Sequence, residues 1–203
     1  MIGVGLALVV TVLLLLLSRG GAIDRVALLV FGASSLLLFA ASSLLHSVRA
    51  SPATETWLRR FDHGAIFVLI AGSYTPVLLI AVRPEYPVLS WWLFGVVWAL
   101  AVAGVIFKLA WIRAPRWLST GLYLAMGWLV VLAIGPVARS LGAANMWWLA
   151  AGGLFYSVGA AIYGSKRPDP VPGVFGYHEI WHLFVLAGWA CHATLMFRLA
   201  LGA

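Results

Sequence analysis

The sequence predicts an all-α, polytopic membrane protein: a bundle of seven transmembrane helices. Three observations carry that expectation. Of 203 residues, 64% are hydrophobic and only 9% charged, too few charges to cover a water-soluble globule. Mean hydropathy is +1.03. The apolar residues also fall in long runs separated by short polar breaks. A spanning helix needs roughly 20 apolar residues, so a chain of this length with short loops fits about seven spans.

The first run, IGVGLALVVTVLLLLL, resembles a signal-peptide core, but no basic segment precedes it and Arg19 follows it. It therefore reads as an uncleaved first span, Ile2–Ser18. The second, Val26–Ser47, closes on SSLLHS. The third, Phe61–Val82, opens on FDHG and carries GSYTP late, where Pro76 frees backbone groups that Ser73 or Thr75 can serve; a kink is expected there. Val88–Leu109 and Trp117–Val137 form the fourth and fifth. In the sixth, Asn145–Gly164, the pieces AGGLFYSVGAAIYG read as close helix packing through small residues. The linker SKRPDPVPG then interrupts, its prolines excluding continuous helix, before the seventh span, Tyr177–Leu199. With no soluble domain, coiled coil or low-complexity tract in evidence, residues 1–203 read as one seven-helix membrane domain.

Lys and Arg set the expected orientation. The loops after the second, fourth and sixth spans hold eight of them: Arg49, Arg59, Arg60, Lys108, Arg113, Arg116, Lys166 and Arg167. The opposite side holds five: Arg19, Arg25, Arg83, Arg139 and Arg198. The N-terminus is thus expected inside and the C-terminus outside. The net charge of +7 would point to nucleic acid in a soluble protein. Basic residues lodged between apolar runs point instead to topology and anionic headgroups, so no nucleic-acid partner is expected. The tryptophan pairs Trp91-Trp92 and Trp147-Trp148, with Trp111 and Trp117 at the other face, read as interfacial anchors. The single cysteine, Cys191, excludes an intrachain disulfide and a thiolate zinc cluster.

The polar residues converge on this topology. His46 ends the second span, Asp62 and His63 open the third, and His178, Glu179 and His182 open the seventh, all at one depth on the inner side. His178 and His182 stand one helical turn apart on one face, a spacing that lets two imidazoles share a metal. His192 lies about 15 Å further along the axis, too deep to join them. A catalytic zinc takes three protein ligands and a water, and His46, His178 and His182 supply three nitrogens. Asp62 is placed to hold or deprotonate the water, and Ser42, one turn before His46, to hydrogen-bond the water or Asp62. The plainer alternative is a set of interfacial histidines with Asp62 as a local ion pair or helix-terminal charge beside Arg59 and Arg60. Against it stands the cost of keeping ionisable groups near lipid without a use.

HEIWH, residues 178–182, also spells the zinc-protease pattern with Glu179 as base. A third protein ligand would have to follow, and only His192 does, at the wrong depth. A pore is disfavoured because no span carries a continuous polar stripe.

The stretches SSLLHS, FDHGAIFVLIAGSYTP and FGYHEIWHLFVLAGWACH resemble the bacterial hemolysin III proteins of the progestin and adiponectin receptor superfamily, more distantly related to alkaline ceramidases. The resemblance covers nearly the whole chain in matching order. It implies a seven-helix protein of the bacterial cytoplasmic (inner) membrane with an intracellular-side zinc site built from S-x-x-x-H, an aspartate and H-x-x-x-H. The Zn2+ ligands would be His46, His178 and His182, with Ser42 and Asp62 around the water. It further implies a role in membrane lipid and fluidity homeostasis. The foremost activity is zinc-dependent hydrolysis of a ceramide-like lipid amide, with a membrane lipid as substrate or ligand. A non-enzymatic, zinc-stapled sensor is the alternative, and a pore-forming cytolysin follows from the family's name alone. Bacterial members typically open with a cytoplasmic amphipathic stretch carrying a Glu and an Asn/Thr-His-Gly motif; this chain departs from that pattern by starting in apolar sequence.

Overall fold

A computed structural model describes residues 2–171 and 173–203. The described residues are helical nearly throughout: α1 (Ile2–Leu17), α2 (Ala22–Ser47), α3 (Pro52–Pro76), α4 (Pro87–Ala110), α5 (Arg116–Gly127), α6 (Ile134–Ser165) and α7 (Tyr177–Leu201). The one β feature among them is an isolated bridge between Val171 and Phe175. Five helical runs are long and apolar enough to cross a membrane, and the shorter α1 is apolar as well. Large apolar side chains are exposed, Leu132 at 82% and Ile106 at 58% among them. Water would not tolerate so much of such surface, and lipid accepts it. The protein is therefore an integral, multi-pass membrane protein.

Two compact units make up the chain: Met1–Ala114 with Met196–Ala203, and Pro115–Leu195. In the first, α1, α2, α3 and α4 pack each on the next. α3 is its hub: 67% of its most apolar window is buried, against 22% for α4. Small residues set the close approaches. A methyl group added at Gly32 would meet Thr11 of α1, at Gly72 Ser34 of α2, and at Gly104 the ring of Phe67. The last turn of α7 joins this unit by Arg19 N–H donating to the Ala200 carbonyl at 2.9 Å.

α3 begins well before the expected Phe61. Ser51 caps it, its hydroxyl accepting the Thr54 N–H at 3.3 Å, and Pro52 occupies the first turn, where its missing N–H costs nothing. At the other end the expected disturbance at Pro76 takes the form of a π-helical segment, Val77–Val82. The neighbouring α4 serves it: Ser90 Oγ donates to the Leu78 carbonyl at 2.8 Å, and Trp98 Nε1 donates to Thr75 Oγ1 at 3.1 Å. Ser73 and Thr75 each turn their hydroxyls back on their own helix, to the Leu69 and Ala71 carbonyls.

In the second unit, a 3-10 segment, Trp128–Ala133, joins α5 to α6. Between the expected fifth and sixth spans there is little loop: α6 consists of two helices that meet at a kink at Gly142, where φ is 70° and ψ 169°. Only glycine adopts such a conformation without strain. The apolar run Arg116–Ser165 is thus 50 residues long. As straight helix that would be about 75 Å, more than twice the hydrocarbon thickness. The small residues of α6 do pack closely: a methyl group at Gly159 would meet Phe184 and Trp181 of α7, and one at Gly152 would meet His192.

Candidate metal centre

Each unit carries one part of the candidate centre. In the first unit, α2 ends at Ser47, which puts Ser42 and His46 on its final turns, one above the other. His46 Nδ1 lies 2.8 Å from the Ser42 carbonyl oxygen. A carbonyl only accepts, so Nδ1 carries the hydrogen and the lone pair is left on Nε2, the tautomer a metal ligand needs. The Ser42 hydroxyl in turn hydrogen-bonds the carboxylate of Asp62 on α3, and His46 is close enough to Asp62 for their charges to interact. Ser42 is the joint: its backbone holds His46 and its side chain holds Asp62.

Because α3 starts at Pro52, Asp62 sits well inside the helix, beyond reach of a first-turn dipole effect. The Arg59 charge reaches it, but neither of the described ion pairs joins it to Arg59 or Arg60. Arg59 pairs with Glu55 at 2.7 Å, and Arg60 lies 4.7 Å over the Trp57 ring. The carboxylate is half-buried and engaged with α2 instead.

In the second unit, His178 and His182 lie on the first turns of α7, both half-buried. Their Nε2 atoms are 3.1 Å apart, with the ring planes at 89°. Two nitrogens at a Zn–N distance near 2.05 Å and a tetrahedral angle would be separated by about 3.3 Å, so this pair is already near the edge length of such a shell. The donor chemistry on the two units, imidazole nitrogens with a carboxylate beside one of them, fits zinc.

Two other members of the sequence cluster have contacts of their own. Glu179 Oε2 accepts the Gly176 N–H at 2.8 Å, reaching back over the first turn of α7. His192 is buried between α6 and α7, edge-on to Tyr156 with ring centroids 5.4 Å apart, its Nε2 3.4 Å from the Leu149 carbonyl. It packs the helix pair.

One group escaped the sequence pattern. Arg116, at the start of α5, stacks over Tyr163 of α6 and Tyr177 of α7, at 5.3 and 5.7 Å from the ring centroids, and donates to the Tyr177 hydroxyl at 3.3 Å. Tyr163 also faces the rings of His178 and Trp181 at 6.0 and 5.6 Å. Three helices meet there, and no local spacing announces it.

A family model described as Haemolysin-III related matches residues 1–193. The chain belongs to this family. Among its haemolysin-III relatives is the Hemolysin-3 homolog of Bacillus subtilis (strain 168), 41% identical over 190 residues, which span 92% of this chain and 84% of that protein. Hemolysin-3 of Bacillus cereus is 42% identical over 191 residues, 92% of this chain and 82% of the relative. The match thus spans more than four-fifths of two bacterial haemolysin-III proteins.

Proposed function

We propose that the two parts of the centre hold one zinc ion, with His46, His178 and His182 as ligands, and that the protein is a zinc-dependent hydrolase of a ceramide-like lipid amide. The observation that carries the reading is Ser42 tying His46 and Asp62 together, the arrangement a ligand and its proton-handling neighbour require. The facing Nε2 atoms of His178 and His182 support it. When bound, zinc supplies Lewis acidity, polarising a carbonyl and lowering the pKa of water to about 7.

The residues' own work follows from their contacts. Ser42 fixes the Asp62 carboxylate through its hydroxyl, leaving a second carboxylate oxygen to accept a proton from the attacking water. As the new C–O bond forms and the C–N bond breaks, Asp62 passes that proton to the departing amine, so the reaction balances as amide plus water to acid plus amine. The open apolar flanks admit an acyl chain from the side.

The same reading takes the chain as seven spans with the N-terminus inside: α1, α2, α3, α4, two crossings within Arg116–Ser165 separated at Gly142, and α7. The Lys/Arg bias supports it. We take the bacterial cytoplasmic membrane as the location and lipid homeostasis as the setting. The decisive experiment measures metal content and long-chain amide hydrolysis of purified wild type and Asp62→Ala. Zinc retained with turnover lost is expected. Loss of zinc and stability together would indicate a structural staple, and stoichiometric zinc in a wild type that cleaves no long-chain amide would overturn the enzyme reading.

A further inference from the structure

We propose that Arg116, clamped between Tyr163 and Tyr177, binds the phosphate of an anionic lipid headgroup. Its guanidinium is exposed, stacked on two rings and bonded to one hydroxyl. A guanidinium offers five N–H donors in a planar fork, and stacking on ring faces leaves that fork's edge open to a bidentate oxyanion. Neither ion pair described, Arg59–Glu55 or Arg83–Asp24, involves Arg116. Its own unit contains two carboxylates, Asp169 and Glu179. Both turn to Gly176: Glu179 accepts its N–H, and Asp169 Oδ1 lies against its α-carbon. Arg116 is thus a preorganised cation that neither carboxylate of its own unit engages among the described contacts.

The surroundings select a lipid over a free ion. Trp117, next to Arg116 in the chain, is 74% exposed, an amphipathic ring of the kind that marks headgroup depth. Further along α5, Leu122 is exposed to meet an acyl chain. Lys166 and Arg167 follow the last turn of α6, three and four positions beyond Tyr163, and add positive charge to the same helix end. A zwitterionic headgroup carries its own compensating ammonium, so the site prefers a lipid with uncompensated phosphate. Tyr163 touches both the Arg116 clamp and His178. Resting on the proposed function, this makes the bound lipid a regulator of that centre; the binding itself does not depend on it.

Delipidated full-length protein in neutral detergent, titrated with phosphatidylglycerol, phosphatidylcholine or inorganic phosphate and read by native mass spectrometry, tests the site. Bound zinc is measured on the same samples. Wild type is expected to hold phosphatidylglycerol in preference to phosphatidylcholine, and millimolar phosphate should not displace it. Arg116→Gln should weaken that binding about tenfold or more, as loss of charge-assisted bonds implies. Tyr163→Leu, which removes one face of the clamp, should weaken it too. Arg113→Gln, the same charge change at an exposed neighbour, should leave it unchanged. Equal loss in Arg113→Gln, or none in Arg116→Gln, overturns the proposal, and displacement by inorganic phosphate overturns its lipid assignment. Phosphatidylglycerol held by a protein without zinc would sink the metal reading alone.

Discussion

Glu179 accepts the backbone N–H of Gly176 at 2.8 Å, three positions before it in the chain. This is the reciprocal half of a capping box, in which an acidic residue at the third helical position satisfies the donor at the helix start. The glutamate of HEIWH therefore serves the helix that carries the two histidines. A protease base would have to point at a water between them. Glu179→Gln, which can still accept the N–H, is expected to keep metal content and turnover, with Glu179→Ala fraying the first turn and slightly lowering the thermal midpoint. Abolished turnover in Glu179→Gln with zinc intact would restore the protease reading.

The 3.1 Å separation of the His178 and His182 nitrogens predicts their behaviour when one is removed. A pair sharing one ion loses most of its affinity with either member, because one imidazole keeps no chelate geometry. His178→Ala and His182→Ala should each reduce zinc from one equivalent per chain to near zero by elemental analysis. His192→Ala should leave zinc in place while lowering stability, since its ring fills the α6–α7 interface against Tyr156 and Gly152. Equal zinc loss in all three would remove the distinction between them.

Helix contacts in the first unit give a test free of any metal. A methyl group at Gly104 would meet the buried ring of Phe67, whereas one at Gly95 on the same helix meets nothing within 4 Å. Overpacking of this kind costs about 1–3 kcal/mol. Gly104→Ala should lower the thermal midpoint in detergent, and Gly95→Ala should hold or raise it. Identical behaviour of the two would show that α3 and α4 do not meet closely at Phe67.

How much of this was legible in the sequence depended on whether the cause was local. The apolar runs and the i, i+4 histidines are local patterns, and both appear where spacing puts them. The early start of α3 was also written locally, in Ser51 followed by Pro52, but Arg59 and Arg60 made that stretch read as loop. The break between the fifth and sixth spans was legible at Arg139 and Gly142, but not that a single residue of positive φ makes it, with helix running up to it on both sides. The Arg116 clamp joins residues from α5, α6 and α7 and has no linear signature. The role of Ser42 was half legible: spacing put it below His46, but its hold on Asp62 depends on how α2 and α3 pack.

That divided role of Ser42 makes the sharpest prediction. Its backbone carbonyl fixes the His46 tautomer and its hydroxyl fixes Asp62, so replacing the side chain should separate the two functions. Ser42→Ala keeps the carbonyl, and zinc content should stay near wild type. Asp62 loses its anchor, and hydrolysis should fall. Asp62→Asn removes the proton acceptor outright and should cost about 10²–10⁴-fold in turnover, the range for a general base. In the double variant the missing hydroxyl has no carboxylate left to orient, so its effect should vanish and the combined loss should equal that of Asp62→Asn alone. Losses that multiply instead would mean that Ser42 and Asp62 act independently, and the serine would then have a contact of its own with the substrate or the attacking water.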